Sequence, residues 1–130
     1  MPLQINFSYN WNHKLHCDSF TTLRLRNDAR YFVGAVGNIY LKNQYVSAFK
    51  IVAIKHFTID RINEFVARIE TGYSREKTIA LIKTMYKNRN INWNTQLLSL
   101  IMITKILNFF WVIKYIFMYK VCNKKIPLHK

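Results

Sequence analysis

The chain has 130 residues, of which 51% are apolar and 15% aromatic, with three glycines and two prolines. That length and composition exclude a disordered tail or a disulfide scaffold and leave room for one packed domain. Residues 1–76 carry ten basic and all six acidic residues, whereas residues 77–130 carry ten basic residues and no acid, so the net charge of +14 is concentrated in the second half.

A field of that sign attracts polyanions, meaning nucleic acid or anionic lipid, without conferring sequence specificity. A compositional bias toward lysine and asparagine would produce the same excess. The two cysteines, Cys17 and Cys122, form no CxxC pair, and Met1 to Trp11 lacks the charged start and apolar run of a secretory leader. The expectation is a reduced, cytoplasmic protein without a cofactor.

Leu3, Ile5, Phe7 and Tyr9 alternate with polar residues, which predicts a strand. Asn10 to Ser19 reads as a loop or short helix. In Phe20 to Asn27, hydroxyl and guanidinium side chains alternate with apolar ones. On a strand this sets Thr22, Arg24 and Arg26 on one face and Leu23 and Leu25 on the other. Gly34 and Gly37 permit a turn or bulge before a strand over Asn38 to Leu41, and Asn43-Gln44 reads as a hairpin turn. Tyr45 to His56 has the β-branched content of a further strand.

The period changes at Thr58. Ile59, Ile62, Phe65, Val66 and Ile69 make a helical stripe, with Thr58 as N-cap, Asp60 in the first turn and Gly72 past the end. A second helix follows, capped by Ser74, with Glu76 in its first turn and Ile79, Ile82, Met85 and Tyr86 as its buried stripe, ending at Asn88-Arg89-Asn90. Trp93 to Thr104 reads as a returning strand. Lys105 to Tyr119 is apolar, aromatic and punctuated by lysines, and is expected to form a helix that packs on the domain or on a second copy as a homo-oligomer.

Leu97 to Ile113 also invites a membrane reading, since its seventeen residues hold one lysine. The length is at the lower edge for a span, and a central lysine costs about 2.5–3.5 kcal/mol on insertion scales. Membrane association through the extension is therefore an alternative to packing.

The order of an early aromatic segment (Phe7 to Trp11), the Thr21-Thr22-Leu23-Arg24 strand, the Tyr31 to Gly34 turn, further strands and two helices resembles the ASCH domain family over roughly residues 4–104. The family signature reads Gly-x-Lys-Thr-x-Thr-x-Arg. The aligned stretch here is Cys17-Asp18-Ser19-Phe20-Thr21-Thr22-Leu23-Arg24, in which Thr22 and Arg24 match. The resemblance implies an α+β fold: a small PUA-like β-barrel of five or six strands with two consecutive helices before the last core strand. A C-terminal apolar helix is expected beyond it. Two regions follow, a domain over 1–104 and an extension over 105–130 that such relatives lack.

The leading functional expectation is a non-catalytic module binding RNA or another nucleic acid. Thr22, Arg24, Arg26, Arg30 and Tyr31, with Trp11 and Arg89, interleave cations with aromatics as single-strand binders do. Tyr9, Lys87, Trp93 and the Asn88 to Asn94 stretch would extend that surface. Either tryptophan equally suits the end of a barrel core.

The rival class is a small amidohydrolase. In some enzymes that the chain resembles, the signature lysine and second threonine act with a glutamate on acylated nucleosides. The lysine falls on Ser19, the threonine on Thr22, and the glutamate near Thr71 with Glu70 beside it. Thr22 as nucleophile and Glu70 would then need a cation, which Lys14 or Lys50 supplies only if the fold brings it close. His13, His16 and Cys17 lack the four ligands of a structural zinc site and read as loop residues, and His56 as a packing or capping residue.

Overall fold

The structure, a computed structural model, describes residues 3–106. Five strands form one sheet: β1 (Leu3–Phe7), β2 (Ser19–Leu25), β3 (Val36–Leu41), β4 (Gln44–Thr58) and β5 (Leu97–Ile106). Their order is β1-β3-β4-β5-β2, curled into a half-barrel. Two helices, α1 (Glu64–Thr71) and α2 (Arg75–Met85), lie between β4 and β5 in sequence, so the α+β class and the placement of the helix pair are as expected.

β1 pairs with β3 in parallel, whereas every other pair is antiparallel. β1 and β2 are therefore the two edges. Gly37 makes the parallel pair possible, because a Cβ there would sit 1.9 Å from the Leu3 carbonyl oxygen. β4 serves both halves of the curl. Its register shifts between Ile51 and Ala53, so Val52 is an extra residue, and a bulge of this kind bends a strand and increases its twist. The hairpin between β3 and β4 turns at Lys42 and Asn43, both at positive φ (51° and 68°), one residue earlier than Asn43-Gln44.

The curl separates two cores. Inside it, Ile5, Phe7, Phe20, Ile39, Phe49 and Ile101 pack together with their neighbours. Between the outer face and the helices lie Ile59, Ile62, Ala67, Ile82 and Leu98, with Leu23, Leu25 and Trp93 against them. β5 is buried on both faces, with Leu98 in one core and Ile101 and Ile103 in the other. That is why its sequence is mostly apolar, with Ser99 as the one polar residue before Thr104, rather than alternating.

The first helix differs from its expected form. Thr58 makes no capping bond; its hydroxyl bonds the Asp60 carboxylate, and residues Ile59–Arg61 form a single 3-10 turn. The α-helix starts only after Asn63, whose side-chain oxygen accepts from the Val66 amide at 2.8 Å. Ile59 and Ile62 are buried, but the interruption resets the phase. Phe65 and Ile69 consequently point outward, 78% and 55% exposed, while Ala67 and Glu70 are the buried residues of α1. Gly72 ends α1 at φ 83°, and Ser74 caps α2 by accepting from the Lys77 amide. In α2, Ile82 and Thr78 are buried and Met85 is exposed, which shifts the expected stripe by part of a turn.

Residues 97–106 are a strand paired on both sides, so the helical membrane span over Leu97 to Ile113 cannot include them. Lys105 and Ile106 likewise belong to β5 rather than to a helix. Lys105 donates through Nζ to the Leu15 carbonyl at 2.6 Å, so the domain runs two residues past Thr104. The expected helix and oligomer contact from residue 107 onward lie outside the described residues. Among the described residues, no helix is long and apolar enough to cross a membrane.

Candidate functional site

Between β1 and β2 the half-barrel has a seam with no strand pairing. Arginines span it. Arg24 donates through Nη2 to the Asn6 carbonyl at 3.0 Å, and Arg30 donates through Nη2 to the Gln4 carbonyl. Each satisfies an edge-strand acceptor of β1 that would otherwise face solvent or an intruding strand. Arg24 also lies over the Phe7 ring, 4.8 Å from its centroid.

A cavity of about 100 Å³ opens beside this seam, walled by β1, β2 and both helices. Trp11, Lys14, Thr22, Arg24, Glu70 and Tyr86 are among its lining. Glu70 is delivered from the last turn of α1 and is 4% exposed. The negative end of a helix dipole disfavours a carboxylate there, so its partners carry the compensation. Lys14 Nζ lies 2.9 Å from Glu70 Oε2, and the Leu23 amide donates to the same oxygen at 3.1 Å. Thr21 donates its hydroxyl to Oε1 at 2.6 Å. Both carboxylate oxygens are thereby engaged.

Lys14 is 7% exposed and comes from a 3-10 turn, Trp11–His16. Asn10 accepts from the Leu15 amide at 2.9 Å, and Asn12, in the left-handed region at φ 55°, donates its amide to the Arg68 and Ile69 carbonyls. The lysine turn is thus fastened to the end of the helix that carries Glu70. Burial pulls the Lys14 ammonium below its ordinary value of 10.5; the Glu70 charge and hydrogen bond oppose this, and the Arg24 charge adds to it. Thr22 is 3% exposed, and its Oγ1 accepts from Arg24 Nε at 3.2 Å. An oxygen that already accepts a charged hydrogen bond is poised to hold negative charge.

The residues expected at the site separate into groups. Thr22, Glu70 and Lys14 meet around the cavity, whereas Lys50 is exposed on the β3-facing part of β4. Trp11 stands at the cavity wall, with Tyr9 4.7 Å and Tyr73 6.3 Å from its ring centre. Trp93 instead packs in the outer core near Tyr86. Arg24 and Arg30 are engaged across the seam, and Arg26 is paired with Asp28 at 2.9 Å. Tyr31 is 9% exposed, with Arg30 over its ring. Arg24, Arg26, Arg89, Tyr31 and Tyr86 border a separate shallow groove of about 190 Å³.

Thr21, Phe7 and Tyr86 carry no sequence signal for the site, yet Phe7 and Tyr86 line the cavity and Thr21 bonds the Glu70 carboxylate. Alternation places Thr21 opposite Thr22, so only the arrival of α1 against that face gives it a role. His56 Nδ1 lies 2.9 Å from the Ser99 hydroxyl, across the β4–β5 pair. Among the described residues, no group of three or more His, Cys, Asp or Glu is placed to hold a metal ion. Compared with family models, curated proteins and solved structures, the chain matches none of them.

Proposed function

We propose that the cavity is an acyl-hydrolase site acting on a small acylated nucleobase ligand, with Thr22 as nucleophile. The observation that carries this reading is the buried Lys14–Glu70 pair at 2.9 Å on the wall that also holds Thr22. It replaces the cation that Ser19 lacks, from a different part of the chain. A lysine drawn below its ordinary value by burial and gathered with a hydroxyl in a cleft supports a reactive site. The acylated-nucleoside class follows from the resemblance to ASCH-type enzymes.

In this reaction Thr22 Oγ attacks the acyl carbonyl carbon while Lys14, as the free amine, takes the hydroxyl proton. Arg24 stabilises the charge that develops on oxygen. The carbon–nitrogen bond breaks, Lys14 returns its proton to the leaving amine, and water then releases the acyl group from Thr22. Glu70, already holding three donors, positions Lys14. Trp11 and Tyr86 offer aromatic surface to a planar base.

Incubating the protein with acylated cytidine and following deacylation tests the reading. Turnover that disappears in Thr22→Ala and in Lys14→Met, with both variants folded, supports it. Absence of turnover by the wild-type chain removes it.

Nucleic-acid binding is the second reading, favoured by the groove bordered by Arg24, Arg26 and Arg89 beside Tyr31 and Tyr86. Ranking it lower is the engagement of Arg24 and Arg30 with β1 carbonyls and of Arg26 with Asp28. Loss of RNA binding in the Arg24→Ala plus Arg26→Ala variant, with a steep salt dependence in the wild type, is its signature.

A further inference from the structure

A cavity of about 100 Å³ holds only part of a ligand, since small-molecule sites usually measure ~300–1,000 Å³. Whatever enters it must continue outside. The groove of about 190 Å³ shares Arg24 and Tyr86 with the cavity, so the two spaces adjoin. Thr22, Arg24 and Arg26 follow one another at every second position of one stretch of chain, a spacing of ~6.6 Å per step on a strand. The chain thus leads from the nucleophile to the basic groove.

We infer that this groove is an anion subsite, and that the ligand of the cavity carries a phosphate held by Arg26 and Arg89, with Arg24 standing where the groove meets the cavity; this rests on the reading of the cavity as a nucleobase site. Three arginines line the groove. Arg26 spends Nε and Nη2 on Asp28, leaving Nη1, and Arg24 spends Nε and Nη2 on Thr22 and Asn6, leaving its own Nη1. Among the described residues the Arg89 side chain makes no hydrogen bond or ion pair, and the only carboxylate paired with a groove arginine is Asp28. The groove therefore keeps a positive excess, with arginines contributed by the end of β2 and the residue after it, and by the turn after α2. The uncommitted Arg89 fork suits a pair of phosphate oxygens, and Arg26 Nη1 adds a single charged donor. The substrate class becomes an acylated nucleoside monophosphate rather than the bare nucleoside.

The test is calorimetric titration of the full chain, at low salt, with acylated cytidine and with its 5′-monophosphate, alongside turnover of both. Binding of the monophosphate at least tenfold tighter, with that advantage lost in Arg26→Ala plus Arg89→Ala and in the single Arg89→Glu, is the expected result. Equal Kd for the two ligands, or an advantage that survives both variants, overturns the subsite. Turnover of both ligands with equal Kd and equal KM would retain the hydrolase and remove the subsite, whereas tighter monophosphate binding without any turnover would do the reverse. A single-stranded oligoribonucleotide that displaces the monophosphate with a salt slope of several phosphates assigns the groove to a polymer and overturns the proposal.

Discussion

Lys14 and Glu70, fifty-six residues apart in sequence, meet at 2.9 Å with both side chains almost fully buried. Such a pair is not a stability device by default, because the cost of removing two charges from water offsets their attraction. Its position on the wall of the cavity, with Thr22, gives it another reason to be there.

Removing one partner should expose that cost. Lys14→Met leaves the Glu70 carboxylate buried with only Thr21 and the Leu23 amide as donors, and the loss is expected at about 3–5 kcal/mol in chemical denaturation. Combining it with Glu70→Gln should recover most of the loss, since the side chain is then neutral, its oxygen still accepts from the Leu23 amide, and its NH2 donates to the Thr21 hydroxyl, which can accept as well as donate. A double variant as unstable as Lys14→Met alone would contradict this.

The pH dependence has a defined sign. Burial lowers the folded-state value of Lys14 below 10.5, so between that lowered value and 10.5 the unfolded chain binds more protons than the folded one. Stability contributed by this group therefore rises with pH through that window, and its penalty is present in full below it. Melting temperature from about pH 8 to about pH 11, compared between wild type and Lys14→Met, isolates this group from the other lysines and tyrosines. The wild type should gain on the variant as pH rises. The proposed acyl hydrolysis should speed up over the same window, because in that mechanism the free amine takes the proton.

The seam between β1 and β2 depends on Arg24. Arg24→Ala removes the bond to the Asn6 carbonyl and the contact with Phe7, with an expected loss of about 1–3 kcal/mol. Arg24→Lys keeps the charge without the fork and should fall between the two. Amide exchange should accelerate in β1 and leave the centre of β5 protected, since that strand is paired on both sides. Uniform acceleration across the sheet would mean the arginine does not act locally.

Two glycines should fail for different reasons. At Gly37 an added Cβ meets the Leu3 carbonyl oxygen at 1.9 Å, so Gly37→Ala must push β1 off β3 and is expected to cost about 1–3 kcal/mol or more. At Gly34 nothing lies within 4 Å of the added atom, but φ is +94°, so Gly34→Ala should cost backbone strain of about 1–2 kcal/mol. Denaturation gives both magnitudes. Exchange protection separates them, because only Gly37→Ala should release the β1–β3 amides.

Local pattern made much of this architecture legible. Period-two alternation marks β1, a Ser74 cap and a Gly72 terminator delimit the helices, and the almost wholly apolar run from Leu97 to Ile103 marks a strand. These are decisions between neighbours, and the chain carries them at short range. The phase of α1 was not of that kind. Ile59 to Ile69 keeps helical spacing across a 3-10 turn that breaks the helix, and only packing against the sheet selects Ala67 and Glu70 over Phe65 and Ile69.

The site divides the same way. Thr22, Arg24 and Glu70 were legible as candidates, and so was the missing cation at Ser19. That Lys14 supplies one, that Thr21 serves the carboxylate from the opposite face of β2, and that Arg24 and Arg30 bind an edge strand all depend on which surfaces the curl brings together. Side-chain identity and spacing are properties of the chain itself. Proximity between residues 14, 22 and 70 exists only after the half-barrel has closed around them, because burial of charge, and with it the lowered value at Lys14, is created by residues distant in sequence.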